Sequence, residues 1–362
     1  MNAKDLELLL GLTEILEEHK EYTGDDYKVY NALERVFNEE KWVTIKGNHI
    51  LIKDGETLAD AFKRSTGISL QKSNNPSKTT DLQGGNNKYK ESIEKVKRDN
   101  EKTITPEQII DSAIKSMQAN GKNITAEQVK QKIEDAEKHN LDVIRKNWET
   151  YKYHSDGKGH YKPEREALHK KILNDLFIHE NMAKPKKGEK PTFMVLGGRG
   201  GSGKSKFDGL VYDRNKYIVL DADAIKEKLP EYKGSNAFEV HEESSDILNK
   251  ALKIARKRGL NVVLDGTMKT FGSTEKKIKK FNDAGYNIEM YYMHLPREKA
   301  AERAVERFMG DSGRYVPLEV LLDMKHNEEN FDKLKHYASK WAFYNNDVPS
   351  KENKPILIDK NY

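Results

Sequence analysis

The sequence predicts an α/β protein whose parallel sheet is flanked by helices, preceded by a mainly helical N-terminal region with a small β-hairpin. Two observations predict this fold class. Short apolar runs alternate with helical patterns in the second half of the chain, as expected of parallel strands joined by crossover helices. Amphipathic helical patterns dominate the first half. The predicted strands of the sheet cover residues 193–196, 217–220, 261–264, 288–293 and 355–358.

A glycine-rich loop follows the first of these strands and ends in Lys204 and Ser205. The spacing is G-x-x-x-x-G-K-S, in which backbone N–H groups cradle phosphates, the lysine contacts the β- and γ-phosphates and the serine hydroxyl suits Mg²⁺. A helix is expected to follow and to add its positive end. The sequence therefore predicts a P-loop that binds ATP or GTP with Mg²⁺. The phosphate-binding candidates are Gly198, Gly200, Gly201, Ser202, Gly203, Lys204 and Ser205.

The amino-acid composition limits the classes of molecule that the protein is expected to bind. The 362 residues include 64 basic and 59 acidic ones, a near balance spread along the chain. This mixture suits anionic small molecules and argues against a nucleic acid partner, which calls for a concentrated basic face. The chain has 0 cysteines, which excludes disulfides and thiolate nucleophiles. We find no long apolar span and no basic leader segment, so we predict a cytoplasmic protein without a membrane span.

Local patterns divide the chain into four parts. Residues 1–65 are predicted to form a small domain with helices and a β-hairpin, in which strands 42–45 and 49–52 flank a three-residue turn, 46–48. Residues 66–103 are rich in Ser, Asn, Lys and Gly and are predicted to be a flexible linker. Residues 104–155 form a helical segment, in which Thr105 and Thr125 each begin a capping box. Residues 156–362 form the P-loop domain.

Two carboxylates follow the second strand of the predicted sheet, Asp221 and Asp223. Their spacing of two places both on one side of an extended chain, near the P-loop mouth, because ligands of such sheets bind beyond the carboxyl ends of the strands. An aspartate there can orient or deprotonate an acceptor hydroxyl in line with a γ-phosphate. The alternative is that one of them caps the next helix.

Weaker acceptor-side candidates lie after the third strand and at the start of a helix. Asp265 and Thr267 end the third strand and are suited to a Mg²⁺-bound water or to substrate contacts, although turn residues look the same. Glu242 begins a predicted helix that faces the acceptor side, and acidic residues are common in first turns without any function.

Three arginines follow the fourth strand. Arg303 and Arg307 are spaced i,i+4 on one helix, and Arg314 lies in the loop beyond it. Planar, permanently charged guanidinium groups suit phosphate oxygens and stabilise the charge that develops on a transferring phosphoryl group. The neighbouring Glu302 and Glu306 leave a second interpretation, in which these are ordinary surface ion pairs.

Taken together, these motifs resemble the zeta toxins, the P-loop kinases of toxin-antitoxin systems. The resemblance spans about residues 161–346 and rests on the P-loop, Asp221-x-Asp223, the run from Gly259 to Thr267, and Glu306-Arg307 followed by Arg314. It implies a nucleotide-kinase-like α/β fold and ATP-dependent phosphorylation of the 3′-hydroxyl on the amino sugar of UDP-N-acetylglucosamine. It further implies a nucleotide-sugar substrate and an antitoxin protein as partner.

The same resemblance implies roles for individual residues. Lys204 and Ser205 match the phosphate and magnesium residues, Asp223 matches the base on the sugar hydroxyl, and Arg307 and Arg314 match the phosphoryl-stabilising arginines. Two other functions stay open on the residues alone. One is a P-loop kinase for another hydroxylated acceptor, such as an antibiotic, a nucleotide or a polynucleotide end. The other is a nucleotide-regulated interaction protein, in which the first half of the chain carries the function.

Overall fold

The structure is a computed structural model that describes residues 41–45, 48–52, 87–157, 159–349 and 353–362. The chain divides into two units, residues 1–83 and 84–362. In the first unit, β1 (Lys41–Ile45) pairs antiparallel with β2 (Asn48–Ile52), which confirms the predicted hairpin. Ile45 pairs with Asn48, so two residues connect the strands instead of the predicted three. The helical patterns predicted between residues 5 and 37 lie outside the described residues.

A six-stranded sheet forms the centre of the second unit, in the order β4-β5-β3-β6-β7-β8. The first five of these strands run parallel, and β8 pairs antiparallel with β7 at the edge. The predicted α/β class is confirmed, with one strand, β7, that the sequence analysis missed. The strands are β3 (Thr192–Gly197), β4 (Ile218–Asp221), β5 (Val262–Asp265), β6 (Asn287–His294), β7 (Lys340–Asn345) and β8 (Ile356–Lys360).

Both faces of the sheet are covered, which explains why the central strands read as continuous apolar runs. In β3, Phe193 and Val195 join the large core on one face, whereas Met194 and Leu196 join a smaller core on the other. This alternation follows from the period of two along a strand. The P-loop strand is therefore held rigidly between two layers.

The helices of this unit surround the sheet, and several of them precede its first strand in the chain. None of those in the described part of the chain is long and apolar enough to cross a membrane. They are α1 (Asn87–Asn100), α2 (Pro106–Ala119), α3 (Ala126–Arg145), α4 (Thr150–His154), α5 (Pro163–Leu176), α6 (Ala222–Lys226), α7 (His241–Lys257), α8 (Phe271–Asn282), α9 (Arg297–Phe308), α10 (Leu318–Leu322) and α11 (Asn327–Leu334).

Helix α1 occupies residues 87–100 of the range 66–103, so the predicted flexible linker is wrong there. Residues 66–86 lie outside the described residues. Tyr89, Ile93 and Val96 are buried, and the Tyr89 hydroxyl donates to Asp332 Oδ1 of α11 at 2.9 Å. These three apolar side chains recur at helical spacing and anchor an otherwise charged helix to the rest of the second unit.

Helices α2 and α3 pack on the helix that carries two of the candidate arginines. Their apolar residues share a core with α9 and α10, including Ile114, Met117 and Phe308. Both predicted capping boxes are confirmed, because Thr105 and Thr125 each accept from the backbone N–H three residues on and the glutamine there reaches back. Residues 104–155 therefore share one compact unit with the P-loop domain, without a boundary at residue 156.

Candidate active site

The predicted site residues gather along one edge of the sheet, where the parallel strands β3, β4 and β5 end. Asp221 and Asp265 occupy paired positions at the ends of β4 and β5, and Leu196 of β3 pairs with Asp265. Because the P-loop begins directly after β3, Asp265 lies beside it and Asp221 lies one strand further along the same edge. This is the edge at which α/β proteins of this architecture bind ligands.

Two glycines of the P-loop approach neighbouring elements too closely for either position to carry a side chain. Gly201 and Gly203 have φ angles of 86° and 88°, and a Cβ at either position would collide with the Ala300 carbonyl or the Asn346 amide. Asn346 also donates to the Ser202 carbonyl at 2.7 Å, which fixes the turn from beyond β7. The cradle predicted from the glycine spacing is therefore built by contacts with two other elements.

The remaining P-loop residues lie around this turn. Gly198 has a φ of 143°, and Gly200 lies beside Leu321 of α10. The Ser202 hydroxyl is buried and lacks a hydrogen-bond partner among the described residues.

Lys204 and Ser205 lie at the open side of the loop. Lys204 Nζ donates to the Gly198 carbonyl at 2.9 Å and lies 3.8 Å from Asp265 Oδ1, and the Ser205 side chain is exposed. The predicted helix directly after Ser205 is wrong. The segment Lys204–Phe207 makes one 3-10 turn, after which Asp208 is extended and Gly209 adopts a φ of 76°, so the chain turns away.

Arg199, in the variable part of the loop, is buried and carries no solvent-facing charge. Its guanidinium forms a two-point ion pair with Glu328 of α11, with Nη2 to Oε2 at 2.7 Å, and donates to the Met324 carbonyl at 2.9 Å. Burial alone would raise the pKa of Glu328, but the Arg199 charge and a hydrogen bond from His294 outweigh it and hold that pKa at about 2. This buried pair ties the P-loop to α11.

Asp221 and Asp223 have different roles, which corrects the expectation that both point to one side. Asp221 ends β4 and accepts the Asp223 backbone N–H at 2.9 Å, so it caps α6, the alternative that the sequence left open. Asp223 lies in the first helical turn instead of an extended segment. Its Oδ2 pairs with Arg314, and its Oδ1 lies 3.3 Å from Lys226 Nζ.

Asp265 and Thr267 lie next to the P-loop as predicted. Burial and the nearby Asp221 raise the pKa of Asp265, and Lys204 only partly offsets them. The Thr267 carbonyl accepts the Gly198 N–H at 3.4 Å, and its hydroxyl accepts the Lys269 N–H at 3.2 Å. Thr267 is thus engaged in holding the loop, and its hydroxyl already has a local partner.

Arg307 is half-buried on α9, and its Nε and Nη2 have no hydrogen-bond partner in the described part of the chain. Burial lowers its pKa. The carboxylates of Glu302 and Glu306 accept the hydroxyls of Ser112 and Ser116 on α2 at 2.7 and 2.6 Å. Buried donors without partners are uncommon in proteins and point to an anionic ligand.

The other two arginines and Glu242 also lie around this edge. Arg303 is close enough to Lys206, two residues beyond the P-loop lysine, for their charges to lower the Lys206 pKa beyond the effect of burial. Burial lowers the pKa of Arg314, which is paired with Asp223. Glu242 lies in the first turn of α7, and its charge acts on Lys226.

Sequence reasoning missed several residues that shape the site. Asn327 and Asn330 of α11 donate to the backbone carbonyls of residues 267–269, where Met268 has a positive φ of 57°. Asn346 fixes the P-loop, and Lys226 contacts Asp223. Of these residues, only Lys226 could have been found from the sequence, because it follows Asp223 by one helical turn.

Together these elements present a phosphate cradle with a lysine, a carboxylate held by two cations, and a half-buried arginine whose Nε and Nη2 have no hydrogen-bond partner among the described residues. This set can bind a nucleoside triphosphate and position an acceptor hydroxyl, which is what phosphoryl transfer requires of a protein.

Comparison with known proteins identifies a family. The family model described as zeta toxin matches residues 178–361, half of the chain. Curated relatives named toxin zeta are 26% identical over 152 residues in Enterococcus hirae and 26% identical over 145 residues in Streptococcus pyogenes. These matches cover 39% and 38% of this chain and 52% and 50% of the relatives, so the chain spans about half the length of the curated relatives it matches.

Two solved structures were also similar. A chain from the PezAT chromosomal toxin-antitoxin system of Streptococcus pneumoniae has a TM-score of 0.41 at 18% identity, covering 54% of this chain and 84% of its own. A chain from the AvrRxo1-ORF1:-ORF2 structure with ATP has a TM-score of 0.45 at 16% identity, covering 55% and 68%. The family assignment depends on the sequence match over residues 178–361, which contains the P-loop, Asp223 and the three arginines. The chain belongs to the zeta toxin family.

Proposed function

We propose that the chain transfers the γ-phosphoryl group of ATP to the 3′-hydroxyl of the amino sugar of UDP-N-acetylglucosamine and acts as a toxin that an antitoxin protein restrains. Membership of the zeta toxin family supports the reaction class. The observation that carries the proposal is the position of Asp223, paired with Arg314 at the sheet edge that also holds the P-loop.

Each step of the reaction has a residue suited to it. The P-loop amides and Lys204 bind the triphosphate. Arg307 Nε and Nη2, which have no hydrogen-bond partner among the described residues, donate to an oxygen of the phosphoryl group. Asp223 accepts the proton of the sugar hydroxyl while the hydroxyl oxygen attacks the γ-phosphorus and ADP leaves. Arg314 stabilises the charge on the transferring group once substrate separates it from Asp223.

Mg²⁺ would be held by Ser205 and Asp265 together with the phosphates of the nucleotide, and it would neutralise the charge between the β- and γ-phosphates. No group of three or more His, Asp or Glu side chains able to hold a metal occurs within the described ranges. This fits an ion that arrives with substrate, since Mg²⁺ in kinases uses only one or two protein ligands.

Phosphorus NMR of the full chain with ATP, Mg²⁺ and UDP-N-acetylglucosamine tests the proposal. We expect a new phosphomonoester resonance, and we expect Asp223→Asn to slow its appearance about 10²- to 10⁴-fold, the usual contribution of a general base. ATP affinity should be unchanged. Asp283→Asn, at an exposed carboxylate after α8, is the matched control and should retain full activity.

Absence of product from folded, ATP-bound protein would refute the nucleotide-sugar acceptor. A panel of hydroxylated acceptors then identifies the substrate, and steep salt dependence would mark a polynucleotide. If no acceptor is phosphorylated while Lys204→Ala changes association with a protein partner, the chain is a nucleotide-regulated interaction protein.

A further inference from the structure

Lys226 is a buried lysine at the end of α6, with a side chain that is 9% exposed. Lysine is rarely buried because its charged form loses hydration, so its position requires compensating charges. Its Nζ donates to Asp223 Oδ1 at 3.3 Å. A cation therefore lies against the carboxylate that we propose as the base.

Charged groups from two neighbouring elements act on this lysine. Asp221 approaches from the end of β4 and Glu242 from the first turn of α7, and both raise its pKa. Arg314 lies on the far side of Asp223, from the loop after α9. Burial outweighs the carboxylates and lowers the pKa of Lys226 to about 8.

The two cations on Asp223 divide its oxygens, with Arg314 on Oδ2 and Lys226 on Oδ1. Arg314 lies in a loop, whereas Lys226 shares a helix with Asp223 and is spaced i,i+3 from it. When Arg314 turns to the phosphoryl group, the contact within the helix is the one that remains, among the described residues, to hold the carboxylate. The two cations are therefore not equivalent.

We propose that Lys226 is a positioning residue for phosphoryl transfer, whose ammonium group holds the Asp223 carboxylate toward the acceptor hydroxyl while Arg314 serves the transferring phosphoryl group. The proposal rests on the proposed function, since it assigns Asp223 as the base.

Steady-state kinetics from pH 6 to 9.5 test this role with Lys226→Gln and Lys226→Arg. Lys228→Gln, two residues on and half exposed beside Asp175, is the matched control. We expect Lys226→Gln to lower kcat about 100-fold, the scale of a misplaced reacting group, with KM for ATP within about 3-fold. Lys226→Arg should restore most of kcat. Wild type should lose activity as pH rises through about 8, and Lys226→Arg should not, because arginine stays charged.

NMR of ¹³C-labelled lysine in the full chain gives a readout that needs no turnover. We expect one resonance to titrate near pH 8, to vanish in Lys226→Arg, and to move to lower pH in Asp223→Asn because a neighbouring carboxylate is lost. A Lys226 titration that Asp223→Asn leaves unmoved overturns the proposal, as does wild-type kcat in Lys226→Gln. If Asp223→Asn does lower the pH at which Lys226 titrates but UDP-N-acetylglucosamine gives no product, only the proposed acceptor is refuted.

Discussion

Glu328→Gln is expected to destabilise the protein by about 3 kcal/mol at pH 7, although residue 328 lies outside the P-loop. Glu328 is 1% exposed and pairs with Arg199, which is equally buried. A glutamate pKa lowered from 4.5 to about 2 corresponds to about 3 kcal/mol of stabilisation at about 1.4 kcal/mol per pH unit. Breaking a buried pair by removing one partner costs a similar 3 to 5 kcal/mol, because the remaining charge is left uncompensated.

The sign of the pH dependence follows from the lowered pKa. The stabilisation by Glu328 is fully present above its unfolded-state pKa of 4.5 and is lost as pH falls toward its folded-state pKa of about 2. The difference between wild type and Glu328→Gln should therefore be constant from pH 7 to 5. At about pH 3 it should fall below half of its neutral value.

Urea unfolding of the full chain at pH 7, 5 and 3 measures this difference. Glu329→Gln is the matched control, because the adjacent side chain on the same helix is 31% exposed and pairs only at the surface with His326. It should change the free energy of unfolding by less than about 0.5 kcal/mol. Equal losses in the two variants, or a Glu328→Gln loss that persists undiminished at pH 3, would refute the reasoning.

Two further predictions concern the site itself. Arg307→Met should lower kcat about 10²- to 10³-fold. It should also raise the free energy of unfolding by about 1 kcal/mol in thermal or urea melts, because it removes buried donors that have no partner among the described residues. A loss of stability would show that Arg307 has a structural partner. Gly203→Ala should abolish ATP binding in calorimetry, since its Cβ would collide with Asn346. Gly209→Ala, with a φ of 76° and no described atom within 4 Å of the new Cβ, should cost only about 1 to 2 kcal/mol of backbone strain and leave ATP affinity unchanged.

The parts of the fold that depend on local pattern were predictable from the sequence. Buried strands such as Val262–Asp265 and the capping threonines Thr105 and Thr125 each carry their signal within a few residues. Strand β7 was missed because its aromatic run lies directly after a helical segment, with Lys340 and Asn345 at its ends. Residues 87–100 were misread because charged side chains conceal an apolar stripe of only three residues.

The composition of the site was predictable, but the division of roles within it was not. Asp221 and Asp223 look alike in sequence, and only the start of α6 makes the first a cap. In the sequence, Arg199 and Lys226 look like ordinary surface cations. In the structure, tertiary contacts bury them against Glu328 and Asp223. Burial of a charge depends on residues far along the chain, which no local window contains.

The packing of α2 and α3 on α9 bears on how the protein can be dissected. A fragment starting at residue 156 would expose the apolar surface of Ala301, Ala304, Phe308 and Leu318, which α2 and α3 cover in the full chain. A newly exposed patch of this kind promotes self-association, so poor solubility of such a fragment would say nothing about its chemistry. The compact unit that contains this whole core spans residues 84–362.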